Sequence, residues 1–411
     1  MNSNKKKIIA TALIVGGLVA PLAQATNGYL PIGYGMKNES MGGVGIALPQ
    51  DSIAAAVNPG GMVMVGDRAD VGLTWFRPNR SETSTGAGGF PNGTFDGNGR
   101  SNFFVPDLGY NKMINSDMSL GVSIYGNGGM NTQYNNSPFG GSTAGINLSQ
   151  LFVAPTWSMK INPSNSIGVA LNLVYQMFSA TGLQAFMGSS QTPTALTNNG
   201  TDTSTGVGIR LGWTGEITSM VTLGATYQPK TKMSKFSKYA GLFADQGSFD
   251  IPANYGVGVA VKAQPETTVA FDLEQIQYAG VTSVGNSPNI LFTGVPFGAT
   301  NGPGFGWKNM TVYKLGVSHA LSSTLTLRAG LNHNTQQITP DAAFINLLAP
   351  GVVQNHLSLG GTWKLADKSE VTVAYIHAFS QTVTGAIPTA FGGGTASIKM
   401  SEDSLGVSYG W

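Results

Sequence analysis

From Ala69 to Trp411 the chain repeats one pattern, a run of alternating apolar and small or polar residues followed by a connection that is by turns short and long. Alternation with period two is the mark of a β-strand whose two faces meet different surroundings. The runs are Ala69–Pro78, Phe103–Met113, Met118–Tyr125, Gln150–Ile161, Ile167–Phe178, Thr205–Gly215, Val221–Gln228, Ile251–Lys262, Thr268–Tyr278, Met310–His319, Thr324–Asn334, Val353–Leu365, Glu370–Phe379 and Ser401–Trp411. Six connections are tight, at Ile114–Asp117, Asn162–Asn165, Glu216–Ser219, Ala263–Glu266, Ala320–Ser323 and Ala366–Ser369, and seven are long loops. Fourteen strands with tight turns on one rim and long loops on the other are expected to close on themselves, because closure leaves no edge strand unpaired.

The faces say what surrounds the barrel. Ile167, Val169, Leu171, Leu173 and Tyr175 alternate with Gly168, Ala170, Asn172 and Gln176, and Leu325, Leu327 and Leu331 alternate with Thr326, Arg328 and Asn332. A soluble sandwich would bury the aliphatic face in a core. Regular short and long connections over the whole chain favour aliphatics facing lipid and small polar residues facing a lumen. The fold class expected is all-β, a 14-stranded antiparallel transmembrane β-barrel. Trp157, Tyr227, Trp363 and Trp411 near strand ends suit the headgroup level. The last strand, with Leu405, Val407, Tyr409 and Trp411 on one face, resembles the C-terminal assembly signal of bacterial outer-membrane barrels, which implies the barrel assembly machinery as a partner during biogenesis.

The N-terminus agrees with export. Lys5, Lys6 and Lys7 precede an apolar run from Ile8 to Leu22 and an Ala23-Gln24-Ala25 site, so residues 1–25 read as a cleaved signal peptide. Cleavage removes three of the 22 basic residues and none of the 20 acidic ones, leaving a nearly neutral chain with nothing to favour a nucleic-acid partner. There is no Cys, so disulfides do not hold this exported protein, and 57 Gly among 411 residues suit a large β structure with many turns. Hydrophobic residues at 41% argue against disorder.

Residues 26–61 do not read as a strand. They are Gly-rich, irregular and too apolar for a free linker, and are expected to form a compact plug, leaving 62–411 for the barrel. The plug's M-G-G-V-G-I-A, Asp51 and Asn58-Pro59, followed by F-V-P-D-L-G-Y, F-D-I-P and D-L-E-Q-I-Q-Y in that order, resemble the FadL family of outer-membrane transporters of long-chain fatty acids and aromatic hydrocarbons. The resemblance runs from the plug to Trp411. It implies a monomer set among outer-membrane lipid and lipopolysaccharide, with a hydrophobic small molecule caught by extracellular loops, passed to a luminal pocket and released sideways beside a kinked third strand. Long-chain fatty acids are the first substrate implied and toluene-like compounds the alternative. No cofactor is implied.

Three groups of residues are candidates for this work. Phe236, Tyr239 and Phe243 recur at helical spacing in one long loop, beside Lys235 and Lys238, and Leu183, Phe186, Met187 and Leu196 in the preceding loop offer a partner surface. Together they would form an outer groove, since apolar clusters on a loop rim mark binding; the plain alternative is a loop folding onto its own rim. Gly126, Gly128 and Gly129 follow the third run and would break its ladder, or merely begin a loop. The plug's Asn58-Pro59 matches the family's N-P-A, with Gly60 in place of Ala, and is expected near that kink. Arg210, Lys314 and Arg328 share the inward parity of their strands, as do Asp272 and Glu274. Free basic groups would suit a fatty-acid carboxylate, and neutralised ones a neutral aromatic.

Other functions find less support. His319, His333, His356 and His377 have no Ser at a spacing that singles out a nucleophile, and no metal-binding motif occurs, so neither an outer-membrane lipase nor a metal site is expected. A general porin is disfavoured by the apolar plug. The mature protein should stay soluble only in detergent and migrate differently on a denaturing gel before and after heating. Free solubility, or mobility unmoved by heat, would rule out the barrel.

Overall fold

The structure, a computed structural model, describes residues 27–411; the expected signal peptide at 1–25 lies outside them. Fifteen strands form one sheet: β1 Arg68–Thr85, β2 Gly93–Asp96, β3 Phe103–Asn115, β4 Met118–Tyr134, β5 Ala144–Asn162, β6 Asn165–Thr181, β7 Asp202–Glu216, β8 Val221–Gln228, β9 Asn254–Gln264, β10 Thr267–Ile276, β11 Met310–Ala320, β12 Leu325–Asn334, β13 Asn355–Lys364, β14 Glu370–Ala386 and β15 Thr395–Gly410. Short β2 pairs only with the top of β1, Ser81 to Ser84, as a flap on the loop rim. The other fourteen strands are each antiparallel to their neighbours, and β15 closes on β1 from Asp70↔Gly410 through Leu73↔Val407 to Thr85↔Thr395. The protein is a closed 14-stranded antiparallel β-barrel.

Alternation puts the expected residues outside. Val169, Leu171, Leu173 and Tyr175 on β6, and Leu405, Val407 and Tyr409 on β15, are each about two-fifths exposed or more, while Ala170, Asn172, Gln176 and Ser404 between them are buried. Several strands outrun their sequence patterns on the loop side. β1 continues to Thr85, β4 to Tyr134 and β14 to Ala386, because beyond the bilayer no lipid face imposes alternation while the ladder still pairs. Conversely β9 starts only at Asn254, after Pro252, and β13 at Asn355.

The segment from Asn27 to Gly66 has no strand in the wall, and its side chains are nearly all buried against the inner faces of the barrel. It contains a one-turn helix at Met36–Glu39, 3₁₀ turns at Ala54–Ala56 and Pro59–Gly61, and a further turn at Met62–Val65 that leads into β1. Its many exposed backbone groups are satisfied by the wall. Asp272 Oδ2 on β10 accepts from Gly45 N (2.8 Å) and Ile46 N (3.0 Å), and Asp70 Oδ2 on β1 accepts from Ser52 N (2.9 Å) and Ser52 Oγ (2.6 Å). Glycines on both sides allow backbone to lie on backbone. A Cβ at Gly60 would fall 2.9 Å from the Gly212 carbonyl, and one at Gly330 only 2.0 Å from Met41 C. Gly60 therefore fits where the family's Ala would press on β7.

Candidate functional site: an apolar cavity, a filled lumen and a gap in the wall

Beneath the long loops lies a cavity of ≈ 70 Å³. Its lining comes from five connections and the tops of two strands: Phe139 and Ile146, Phe178 and Leu183, Phe186 and Leu196, Leu242 and Phe243, Phe297 and Phe305, Ile345 and Leu348, with Ser283 as its one polar side chain. Of the outer-groove candidates, Leu183, Phe186, Leu196 and Phe243 line this space, and half-buried Met187 packs on the same cluster. Phe236 and Tyr239 are fully buried behind it, Phe178 meeting Tyr239 at 4.8 Å and Phe243 at 4.6 Å between ring centroids. The loop does not form the amphipathic helix its spacing suggests. Only Ser237–Tyr239 makes a 3₁₀ turn, and Tyr239 Oη is held at the wall by accepting from Ala180 N of β6 (3.0 Å) while it donates to Gly200 O (2.6 Å). Local periodicity lost to burial: the three rings belong to an enclosed core, so the feature is a roofed cavity and not an open groove.

The roof and floor were not visible in the sequence. Phe90, Phe139, Phe186, Phe344 and Phe391, one from each of five loops, meet with centroids 5.1–6.4 Å apart. Below, Tyr29 of the plug segment packs on Tyr278 (5.0 Å) and Trp307 (5.7 Å), and Tyr278 Oη donates to Asn27 O (2.5 Å). Phe186 stood among the outer-groove candidates, whereas Phe90, Phe139, Phe344 and Phe391 are isolated in separate loops and carry no pattern.

The luminal bases are elsewhere. Lys314 pairs with Glu274 at 2.8 Å. Arg210 is buried and donates to Gln228 Oε1 (3.0 Å) and Val57 O (3.4 Å), and Arg328 donates to Thr362 Oγ1 (2.6 Å) and Gln50 Oε1 (3.2 Å). None of the three lines the apolar cavity. Arg328 opens instead on a polar vestibule of ≈ 340 Å³ at the tight-turn end, shared with Lys37, Glu266, Lys364 and Glu370. Asp272 is spent on plug amides and not on a base. A network at that same end holds the plug: Lys37–Glu370 (2.5 Å), Arg68–Glu370 (2.8 Å) and Arg68–Asp70 (2.8 Å). Among the described residues no cluster of His, Asp and Glu is arranged to hold a metal.

The ladder between β3 and β4 is incomplete. β3 pairs with β4 only from Leu108↔Ile124 down to Asn115↔Met118, while Phe103 to Asp107 of β3 pair with β1 alone. Those five residues leave a gap about 16 Å tall at the usual rise per residue. Opposite them β4 bulges between Gly126 and Gly128 and turns inward, with Gly128 at φ +152° and Gly129 N donating to Tyr29 O (3.0 Å). A Cβ at Gly128 would stand 2.1 Å from that carbonyl, so the bend needs glycine on steric grounds as well. Gly126, Gly128 and Gly129 thus lie inside a strand and not at a loop start. Pro106 on the far bank has no N–H, which suits an unpaired edge. Asn58 and Pro59 do not lie at the kink. Asn58 Nδ2 donates to Ile46 O (2.7 Å) and Trp213 O (2.8 Å), seating this end against β5–β7, and the residue at the kink is Tyr29.

An apolar exterior, a filled axis, an enclosed apolar cavity and a lateral gap define a membrane transport protein for molecules that avoid water. The family profile described as outer membrane protein transport protein (OMPP1/FadL/TodX) matches residues 33–390, and the chain belongs to that family. Similar solved structures include a Pseudomonas aeruginosa FadL homologue (16% identity, TM-score 0.69, covering 93% of this chain and 99% of that one). They also include the Pseudomonas putida toluene transporter TodX (18%, 0.66, 92% and 98%) and the Ralstonia pickettii toluene transporter TbuX (16%, 0.63, 92% and 98%). At such identities they establish a shared fold. No curated protein matches the sequence.

Asp51, in the plug, is buried among Asp70, Lys37 and Arg68, and accepts from Ile53 N (3.0 Å). Burial first, then the charge on Asp70, raises its pKa to about 6. A carboxyl raised in the folded state favours the seated plug fully below about pH 4, and that contribution is lost as pH rises through about 6. Asp51→Asn should therefore slow hydrogen exchange at residues 52–57 relative to the parent at pH 7.5, and the two should match at pH 4. Faster exchange in the variant at pH 7.5 would mean that the ionised form holds the plug.

Proposed function

We propose that this protein takes up small neutral hydrophobic compounds, of about the size of one aromatic ring, and releases them sideways into the outer membrane. The observation that carries the reading is the cavity lining, apolar throughout except for Ser283 and without a cation. At ≈ 70 Å³ it is about half the ~150 Å³ cavity that admits benzene in an engineered core, so modest movement of Leu242 or Phe243 would admit one ring. Burying a ring-sized ligand of roughly 150–250 Å² at ~25 cal/mol per Å² contributes about 4–6 kcal/mol before the cost of ordering. A long acyl chain needs far more room, and a carboxylate needs a partner that this lining lacks. Lys314 is neutralised by Glu274, and the forks of Arg210 and Arg328 are occupied by neutral oxygens.

The exit fits the same chemistry. Glu39 and Asp107 line the inner side of the gap with Tyr34, Val105, Tyr125 and Gly126, and neither acidic side chain offers a departing carboxylate a partner. Lateral release leaves the β3–β4 face to lipid, which suits a monomer, and spares the substrate any passage through water. Residues 27–66 act as the hatch, blocking the axial route to the vestibule. Long-chain fatty acids are the second reading, favoured by Arg80, a buried cation beside the gap.

The route has a direct test. A Cβ at Gly126 would lie 2.9 Å from Val105 Cγ1 across the gap, and the chain has no native Cys. Val105→Cys with Gly126→Cys should transport when reduced and stop when oxidised; unchanged transport after oxidation would eliminate the lateral route. In a host lacking its own transporter, labelled toluene should accumulate and oleate should not. The reverse preference would favour the fatty-acid reading.

A further inference from the structure

The gap between β3 and β4 is a window with four sides. Its sill is the Leu108↔Ile124 pair, and its jambs are the free edge of β3 and the inturned half of β4. Its lintel is the stretch before β3, where Gly99 N donates to Gln133 O (2.9 Å) and Gln133 N donates to Gly97 O (3.1 Å). Arg80, on the inner face of β1 and 1% exposed, stands at the upper corner. Its backbone holds the lintel, Gly97 N donating to Arg80 O (3.0 Å) and Asn98 Oδ1 accepting from Arg80 N (2.9 Å). Its guanidinium reaches past the start of β3, 6.0 Å from the Phe103 ring centroid. There Nη2 donates to Arg100 O on the lintel side and Nη1 donates to Asn131 O on β4. One planar fork thus ties both sides of the opening, in a small apolar space lined by Phe76, Phe103 and Met130.

We infer that Arg80 is the latch of this window: its guanidinium pins the inturned upper half of β4 to the lintel, and loosening it lets hydrophobic substrate pass. The inference rests on the lateral route proposed above. A fork is what the position needs, because two carbonyls on different segments are gripped by one rigid plane, whereas an ammonium holds them through one point. Glu402 of β15, 2% exposed and with neither oxygen hydrogen-bonded, lies close enough to interact electrostatically with Arg80. Arg80 is a positioning residue, acting on transport through β4. Such charge-assisted bonds in a dry setting hold the strand firmly, beside the bonds from Gly129 N to Tyr29 O and between Gln133 and the lintel.

Arg80→Ala removes the fork and keeps the backbone bonds to Gly97 and Asn98. In detergent, its amides at Gly129–Gln133 should exchange at least about tenfold faster than the parent's, with exchange at the β1–β15 seam unchanged. Initial uptake should rise in step. Arg80→Lys should fall between the two, since one ammonium can keep one carbonyl. If Arg80→Ala leaves Glu402 uncompensated and fails to fold, Arg80→Ala with Glu402→Gln removes both charges and carries the same expectation. Parent-like exchange at Gly129–Gln133 in the folded variant would overturn the latch. The two proposals fail separately: unchanged uptake in the oxidised Val105→Cys, Gly126→Cys protein refutes the lateral route, whereas blocked uptake there with parent-like exchange in Arg80→Ala refutes the latch alone.

Discussion

Everything in this molecule follows from the rule that a polypeptide in hydrocarbon cannot leave backbone hydrogen-bonding groups unpaired. β15 meets β1 in a ladder that runs almost the full length of both strands, and with that seam closed there is no edge for lipid to meet. The ladder between β3 and β4 breaks the rule. Between Phe103 and Asp107 the ladder to β4 stops, and there the barrel turns its neighbouring strand inward against the hatch. Tyr29 O accepts from Gly129 N, so a polar group freed by the bulge is satisfied from inside. The inward bend of β4 is thus satisfied by the N-terminal segment, which links gap and segment in one piece of hydrogen bonding.

The N-terminal segment in turn depends on charges and amides that the wall projects inward. Asp272 and Asp70 accept from hatch backbone, Asn58 bridges hatch and β7, and Lys37 with Arg68 converges on Glu370. Buried charges like these are costly unless each has its partners, and truncating one side strands the other. Polar contacts gather at the tight-turn end and apolar ones beneath the loops, so the lumen has a fixed polar base and an apolar chamber above it. Tyr29, Tyr278 and Trp307 pack on one another in the same apolar cluster as the chamber's lining.

Much of the fold was legible because its causes are local. Period-two alternation, tight turns at one rim and an aromatic last residue follow from a lipid face and a closed ladder, and these act residue by residue along the chain. The site was less legible. Gly126, Gly128 and Gly129 suggested a break, but only the register shows that β4 stays a strand through them and leaves β3 above Ile124. Phe236, Tyr239 and Phe243 announced a helix by spacing and became core by packing. Lys314 and Glu274 share inward parity in the sequence, yet parity alone does not say that Asp272 turns to the hatch while Glu274 takes the lysine.

By itself, then, the sequence determined a strand-rich chain with one face for lipid and one for a lumen, and an N-terminal piece unlike the rest, since periodicity and composition record what each residue's own neighbours demand. Only the tertiary structure decided that Phe90, Phe139, Phe186, Phe344 and Phe391 share a roof, that the bases lie away from the cavity, and that Arg80 reaches both sides of the break. Those contacts join residues tens to hundreds of positions apart. What brings them together is closure of the barrel, which sets the distance between loops that have no pattern in common.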